Sequence, residues 1–134
     1  VVILVDSSVW IDYFNGVDNP QTETLDKTLG VDPVAIGDLI LTEVLGGFRQ
    51  DSHFHSAKTL FQSLEVYQLL NPARAVDSAE NFRTLRKQGI TIRKTADTII
   101  ATYCISERLP LLYSDKDFDP FVKYLGLVSA LGLK

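Results

Sequence analysis

Carboxylates at two predicted strand ends are the side chains of this sequence best suited to chemistry. Asp6 follows the apolar run Val1–Val5, and Asp115 follows a second apolar run, Leu111–Tyr113, after a single serine. Uninterrupted apolar runs of this kind are typical of parallel strands buried on both faces. Because parallel strands end at one edge of a sheet, where ligands bind in open α/β folds, we expect the two carboxylates to share a site.

Two more acids lie in segments that are predicted to be helical. Glu43 stands within the apolar stretch Leu39–Leu45, where a buried carboxylate is costly unless it is paired or bound to a metal. Asp97 lies near the start of a helix predicted over residues 95–108. Together with Asp6 and Asp115, these acids predict a cluster of oxygen ligands, which favours a hard cation such as Mg²⁺ or Mn²⁺.

Each of these acids also has a purely structural explanation. An aspartate before a helix can cap it, and one in the first turn is stabilised by the helix dipole. Glu43 could lie on a solvent-facing side of its helix. The acid-rich turn after Leu111–Tyr113 could simply be hydrated. The case for a site therefore rests on the combination of the four acids.

Other catalytic chemistries find little support. His53 and His55 are two residues apart, which puts them on different faces of a helix, and Cys104 is the only cysteine, so a zinc site is disfavoured. The sequence has no glycine-rich phosphate loop and no G-x-S-x-G nucleophile elbow. The serines beside the strand ends are therefore predicted to be supporting or capping hydroxyls: Ser7, Ser8 and Ser114.

Composition and charge narrow the class of protein. With 46% hydrophobic and 22% charged residues in 134, we expect one folded domain over residues 1–134 and exclude intrinsic disorder. The sequence lacks the run of about 20 apolar residues that a membrane span requires, and its first residues lack a secretory-signal pattern. We therefore expect a cytoplasmic protein without a membrane partner.

The net charge of −4 argues against a protein that holds nucleic acid by bulk positive charge. The distribution of charge matters more than the total. Six of the 17 acidic residues lie near the predicted site: the four acids above together with Asp117 and Asp119. The remaining 11 acids face 13 bases. Arg93 and Lys94 precede Asp97 and could offset phosphate charge beside the carboxylates. An acidic pocket on a mildly basic body is compatible with a polyanionic substrate.

Helices and strands are predicted to alternate along the chain. A helix should begin at the serines after Asp6, and residues 15–22 read as a loop. The further predicted elements are a helix over 23–29, a strand over 34–36, helices over 38–48 and 51–64, a strand over 65–70, a helix between 71 and 89, an extended segment over 90–92, a helix over 95–108, a strand over 111–113, and a helical turn with an edge strand within 118–133. This alternation predicts a parallel α/β sheet with helices on both faces.

Four segments in this order resemble the PIN-domain ribonucleases, specifically the VapC toxins of bacterial toxin–antitoxin pairs: residues 4–10, 41–45, 95–101 and 111–118. The resemblance implies a three-layer α/β/α PIN-like fold with a central parallel sheet. It also implies a Mg²⁺- or Mn²⁺-dependent endoribonuclease that cuts tRNA or ribosomal RNA. Members of this family are commonly homodimers, and a small VapB-like antitoxin inhibits them.

The resemblance also implies roles for individual residues. The catalytic acids would be Asp6, Glu43, Asp97 and Asp115. The metal ligands would be Asp6, Asp97, Asp115 and Asp117. Supporting or substrate-binding roles would fall to Ser7, Arg93, Ser114 and Asp119, of which Arg93 and Asp119 match only some relatives.

Two other functions compete with this interpretation. A receiver-like signalling domain also gathers acids around Mg²⁺, but it needs paired acids after its first strand, and here two serines follow Asp6. A non-catalytic PIN-like binding module would use the acidic pocket to hold basic side chains of a partner. The aromatic residues of the first helix could pack in the core or line a groove for an antitoxin or a second copy: Trp10, Tyr13 and Phe14.

Overall fold

A four-stranded parallel sheet lies at the centre of residues 1–132, the part of the chain that the computed structural model describes. The strands are β1 (Ile3–Val5), β2 (Val34–Gly37), β3 (Glu65–Tyr67) and β4 (Leu111–Leu112). Their order across the sheet is β3-β2-β1-β4, and every pair is parallel. In register, Leu4 lies opposite both Ala35 and Leu111, so β1 is a central strand, as its apolar sequence predicts.

Seven helices flank the sheet in this part of the chain: α1 (Ser7–Phe14), α2 (Pro20–Thr28), α3 (Asp38–Gly46), α4 (Asp51–Gln62), α5 (Pro72–Lys87), α6 (Thr95–Glu107) and α7 (Asp119–Leu125). α1 packs against α2 and α3, whereas α5 packs against α6 and α7. None of these helices is long and apolar enough to cross a membrane. The α/β class predicted from the alternating elements is confirmed.

Several predicted boundaries differ from the structure. α2 begins at Pro20 rather than at residue 23, because Asn19 caps it: its Oδ1 accepts a hydrogen bond from the Thr22 amide at 2.8 Å, and Thr22 Oγ1 accepts one from the Asn19 amide at 3.1 Å. β3 ends at Tyr67 rather than at residue 70, and the N-terminal strand is shorter than predicted, since Val1 is exposed.

The C-terminal region is only partly as predicted. A 3-10 turn over Lys116–Phe118 leads into α7, and the predicted edge strand is reduced to one bridge between Ser129 and Leu111. Residue 133, the last of that predicted stretch, lies outside the described residues.

An aromatic cluster fills the core beside α1. The Trp10 ring is fully buried, with its centroid 5.0 Å from that of Phe61 and 6.0 Å from that of Phe14. Phe48 extends the cluster, 5.5 Å from Phe14. Core packing is therefore the role of Trp10, while Tyr13 and Phe14 are half-buried against the same core.

Candidate metal centre

The carboxyl ends of β1 and β4 bring the first acids together. The Asp6 amide donates a hydrogen bond to the Leu112 carbonyl at 2.9 Å, which extends the β1–β4 pairing by one residue. Asp6 then caps α1, and Asp115, three residues after Leu112, caps the 3-10 turn. Both acids thus lie at the edge of the sheet that the sequence predicts.

Three carboxylates form the tightest acidic group in residues 1–132. One oxygen from each of Asp97, Asp115 and Asp117 lies within 4.8 Å of the other two. Asp97 is buried in the first turn of α6, and the other two are half-buried. Asp115 Oδ1 also accepts a hydrogen bond from the Asp117 amide at 2.9 Å, which fixes the turn. Oxygen ligands in this number suit Mg²⁺ or Mn²⁺.

Two buried carboxylate oxygens lack hydrogen-bond partners among the described residues: Asp6 Oδ1 and Asp97 Oδ2. Buried polar atoms are nearly always satisfied, and a charged oxygen pays the largest penalty when it is not. The acids Asp6 and Asp97 are 2% and 5% exposed, respectively. These two unpaired oxygens fit a bound cation, because a divalent ion would supply the missing charge and contacts.

The raised pKa of Asp97 reflects its burial and the repulsion between the clustered carboxylates. Burial, followed by the negative charges of Asp6 and Asp115, raises this pKa to about 7, although Lys94 opposes the change. Burial also raises the pKa of Asp6, while hydrogen bonds from Ser8 lower it. The carboxylates therefore repel one another at neutral pH, and a divalent cation would relieve that repulsion.

Glu43 approaches the group from α3. The residue is exposed, so the argument that an apolar helix buries its carboxylate does not hold. Partial desolvation and the charge of Asp6 nevertheless raise its pKa, while Lys94 and a hydrogen bond from Ser7 lower it. Glu43 therefore lies within electrostatic range of the buried acids and at the solvent side of the site.

Local contacts fix the start of α3. Asp38 Oδ1 accepts hydrogen bonds from the amides of Leu39 at 2.8 Å and Leu69 at 3.2 Å. Gly37, the residue before α3, leaves room for the Leu69 side chain, which a Cβ at that position would overlap. The helix that carries Glu43 is thus anchored to the segment after β3.

Two cations lie beside the acids. Arg93 Nη2 is 3.3 Å from Asp117 Oδ2, and Lys94 Nζ is 4.0 Å from Asp115 Oδ2. Both basic side chains are largely exposed, so these ion pairs contribute little to stability. Their position matters more, because it places positive charge where a phosphate would meet the acidic group.

The predicted supporting residues have distinct surroundings. Ser8 donates to Asp6 Oδ2 through both its amide, at 3.1 Å, and its hydroxyl, at 2.6 Å, whereas the Ser7 hydroxyl lowers the pKa of Glu43. The Ser114 amide donates to Ser8 Oγ at 3.2 Å. Asp119 lies outside the group of three and accepts a hydrogen bond from the Tyr113 hydroxyl at 2.9 Å.

Ser8 is the residue whose importance the sequence understates. The sequence predicts a supporting or capping hydroxyl there, but it does not show that this hydroxyl connects Asp6 to the loop after β4. The signal that was available is its place two residues after a capping aspartate. His53 and His55 are exposed on α4, and Cys104 is buried, which raises the pKa of its thiol.

The chain is similar to known proteins over nearly its whole length. The PIN domain family model matches residues 3–123. Two curated relatives, the VapC ribonuclease Mb1587 of Mycobacterium bovis and ribonuclease VapC11 of Mycobacterium tuberculosis, are each 27% identical to this chain over 134 residues, covering 96% of it and 98% of the relative. These matches confirm the resemblance drawn from the four sequence segments.

Solved structures share the fold. VapBC2 from Rickettsia felis, bound to a DNA fragment from its promoter, superposes with a TM-score of 0.73 at 19% identity, covering 96% of this chain and 97% of the other. VapBC-1 from nontypeable Haemophilus influenzae gives 0.73 at 18% identity, with 96% of each chain covered. VapBC-5 from Mycobacterium tuberculosis, of the VapBC family of toxin–antitoxin systems, gives 0.65 at 20% identity, covering 96% and 98%. The predicted PIN-like fold is confirmed.

Proposed function

Since the chain belongs to the PIN-domain family, we propose that it is a metal-dependent endoribonuclease toxin that hydrolyses phosphodiester bonds in tRNA or ribosomal RNA. One observation supports this most strongly. Asp6 and Asp97 each hold a buried oxygen without a partner among residues 1–132, beside the half-buried Asp115 and Asp117. A cluster of this kind is costly to the fold, and a cation-dependent reaction explains its presence.

The proposed ligands of Mg²⁺ or Mn²⁺ are Asp6, Asp97, Asp115 and Asp117. A divalent ion held by these residues would lower the pKa of a water molecule and offset negative charge on the phosphate. Ser114 and Asp119 are assigned supporting roles, next to Asp115 and through Tyr113 respectively.

Side chains of the protein itself have the remaining roles in the reaction. Glu43, at the solvent side and with a raised pKa, accepts a proton from the attacking water, and Ser7, whose hydroxyl lowers that pKa, supports its charged form. Arg93 and Lys94 hold the phosphate at the edge of the acids. The water oxygen bonds to phosphorus, the bond to O3′ breaks, and O3′ takes up a proton. The products carry a 5′-phosphate and a 3′-hydroxyl.

Partners follow from the same assignment. We infer that a small VapB-like antitoxin covers the acidic site and inhibits cleavage, which the VapBC complexes of similar fold support. We also infer a homodimer, acting in the cytoplasm, where tRNA and ribosomal RNA are found. Size-exclusion chromatography with light scattering would test the dimer.

The direct test uses the purified protein without a partner. Total cellular RNA is incubated with it in Mg²⁺, Mn²⁺ or EDTA, and new 5′ ends are sequenced. We expect discrete cuts that require the metal and are absent with Asp97→Asn. The matched control is Asp77→Asn, which changes an exposed acid on α5.

Two outcomes would overturn the proposal. Cleavage in EDTA, or by Asp97→Asn at the wild-type rate, would remove the acidic cluster from the chemistry. A folded protein that binds a basic peptide but neither metal nor RNA would instead be the non-catalytic binding module.

A further inference from the structure

One hydroxyl group joins the two strand ends that carry the acidic site. Ser8 Oγ donates a hydrogen bond to Asp6 Oδ2 at 2.6 Å and accepts one from the Ser114 amide at 3.2 Å. Asp6 follows β1, whereas Ser114 follows β4 and immediately precedes Asp115. Ser8 and Ser114 are 106 positions apart in sequence, so a single side chain connects two distant parts of the chain.

The contact to Asp6 decides which of its oxygens remains free. Ser8 occupies Oδ2 twice, through its amide at 3.1 Å and its hydroxyl at 2.6 Å. Hydrogen bonds to a charged acceptor are among the stronger ones in proteins. Rotation of the carboxylate would break both, so Oδ1, which is buried and without a partner among the described residues, is held in one direction.

The contact to Ser114 helps to fix the position of the next residue, Asp115. A hydroxyl has one proton to donate, and the Ser8 proton goes to Asp6, so the same oxygen is left to accept from the Ser114 amide. Asp115 is the next residue, and its backbone is therefore tied to the Asp6 carboxylate through one atom. Asp6 is not in the group of three acids that lie within 4.8 Å of one another, and this link gives it a hydrogen-bonded connection to the segment that carries Asp115.

We propose that Ser8 is a positioning residue, which aims Asp6 Oδ1 at the cation and holds Asp6 and Asp115 at a separation that both can use. This rests on the proposed function, because it takes Asp6 and Asp115 as ligands. Partners that orient a metal ligand typically change metal affinity 10–100-fold when they are removed.

The test measures Mn²⁺ affinity by calorimetry in the absence of RNA. Ser8→Ala should bind Mn²⁺ roughly 10-fold more weakly or worse, whereas Ser8→Thr, which keeps the hydroxyl, should bind within about threefold of wild type, well below the 10-fold expected for loss of the partner. If Ser8→Ala folds poorly, Ser8→Cys takes its place in the test. Its S–H group is only a weak donor, so its Mn²⁺ affinity should also fall. The matched control is Ser52→Ala, since Ser52 is also the second residue of its helix and is exposed.

A double-mutant cycle separates positioning from general loosening of the site. If Ser8 acts through Asp6, then Ser8→Ala adds little to the loss already caused by Asp6→Asn. Equal Mn²⁺ affinity of Ser8→Ala and wild type would overturn the inference, as would fully additive effects in the cycle or a Ser8→Thr protein as weak as Ser8→Ala.

The inference and the proposed function can fail separately. A wild-type protein that binds no Mn²⁺ would sink the metal-dependent function and the inference with it. A wild-type protein that binds Mn²⁺ and cuts RNA, beside a Ser8→Ala protein that does both equally well, would sink only the inference.

Discussion

The two ends of α1 lie in opposite kinds of surroundings. Its first turn is capped by Asp6, a buried carboxylate with one oxygen unpaired among residues 1–132, whereas Trp10 and Phe14 enter an aromatic cluster with Phe48 and Phe61. Trp10 Nε1 is also buried without a partner in this part of the chain, but it is neutral. The cluster stabilises the fold by packing, while the acidic end costs stability and is explained only by what it binds.

The largest expected effect is on the aromatic side. Trp10→Ala should lower the free energy of unfolding by about 3–5 kcal/mol, because a fully buried ring leaves a cavity. Urea denaturation followed by circular dichroism measures it. Phe54→Ala, which removes a half-buried ring from α4, is the comparison. An equal loss of unfolding free energy in both variants would show that the aromatic cluster contributes no more to stability than a half-buried ring does.

Replacing an acid of the site should instead reduce activity without reducing stability. Asp97→Asn should lower metal-dependent RNA cleavage by at least about 100-fold, since even outer partners of a ligand cost 10–100-fold. In EDTA at pH 8 it should melt no lower than wild type, because it removes a buried, repelled charge. A thermal melt beside the cleavage assay checks both. Loss of activity together with a much lower Tm would make Asp97 a structural residue.

The pH dependence sharpens this contrast. The folded pKa of Asp97, about 7, lies above the ordinary value of about 3.9, so the folded state binds this proton more tightly than the unfolded chain does. The stabilisation is complete below about pH 4 and is lost as pH rises to about 7. Asp6, Asp115 and Glu43 face this carboxyl with negative charge, and Lys94 with positive charge.

Wild type and Asp97→Asn should therefore diverge with pH in EDTA. The difference in their unfolding free energies should move by up to roughly 3 kcal/mol in favour of the variant between about pH 4.5 and pH 8. Urea titrations at several pH values measure this difference. A constant difference across the range would mean that the Asp97 carboxyl titrates normally.

The smallest effect is expected at the exposed cations. Arg93→Ala should weaken RNA binding a few-fold, with little change in stability. The slope of the logarithm of RNA affinity against the logarithm of salt concentration should become shallower by about one, the equivalent of one phosphate contact. Binding to the Asp97→Asn protein, measured by fluorescence anisotropy at several salt concentrations, avoids cleavage during the assay. Lys87→Ala, at the exposed end of α5, is the control. Identical salt slopes for both variants would remove Arg93 from the RNA surface.

Sequence reasoning succeeded where a pattern depends on local physics. Apolar runs followed by Asp6 and Asp115 predicted parallel strands whose ends share an edge, and the structure has them there. It was less accurate where a single side chain changes the outcome. The Asn19 cap starts α2 three residues early, and Glu43 is exposed although its helix is apolar.

The contacts across the site were beyond sequence reasoning. That Ser8 meets Ser114, or that Lys94 meets Asp115, depends on how loops from distant strands settle against each other. Periodicity describes one element at a time, so it identifies the residues at an edge but not which of them touch.

Gly37 places a steric requirement on the site from outside the site itself. It contributes no functional group, yet a methyl group there would collide with Leu69, and Leu69 is hydrogen-bonded to Asp38 at the start of the helix that carries Glu43. Even the smallest substitution would have to move Leu69 or displace α3. The placement of a carboxylate six residues further along the chain therefore depends in part on a position that has no side chain.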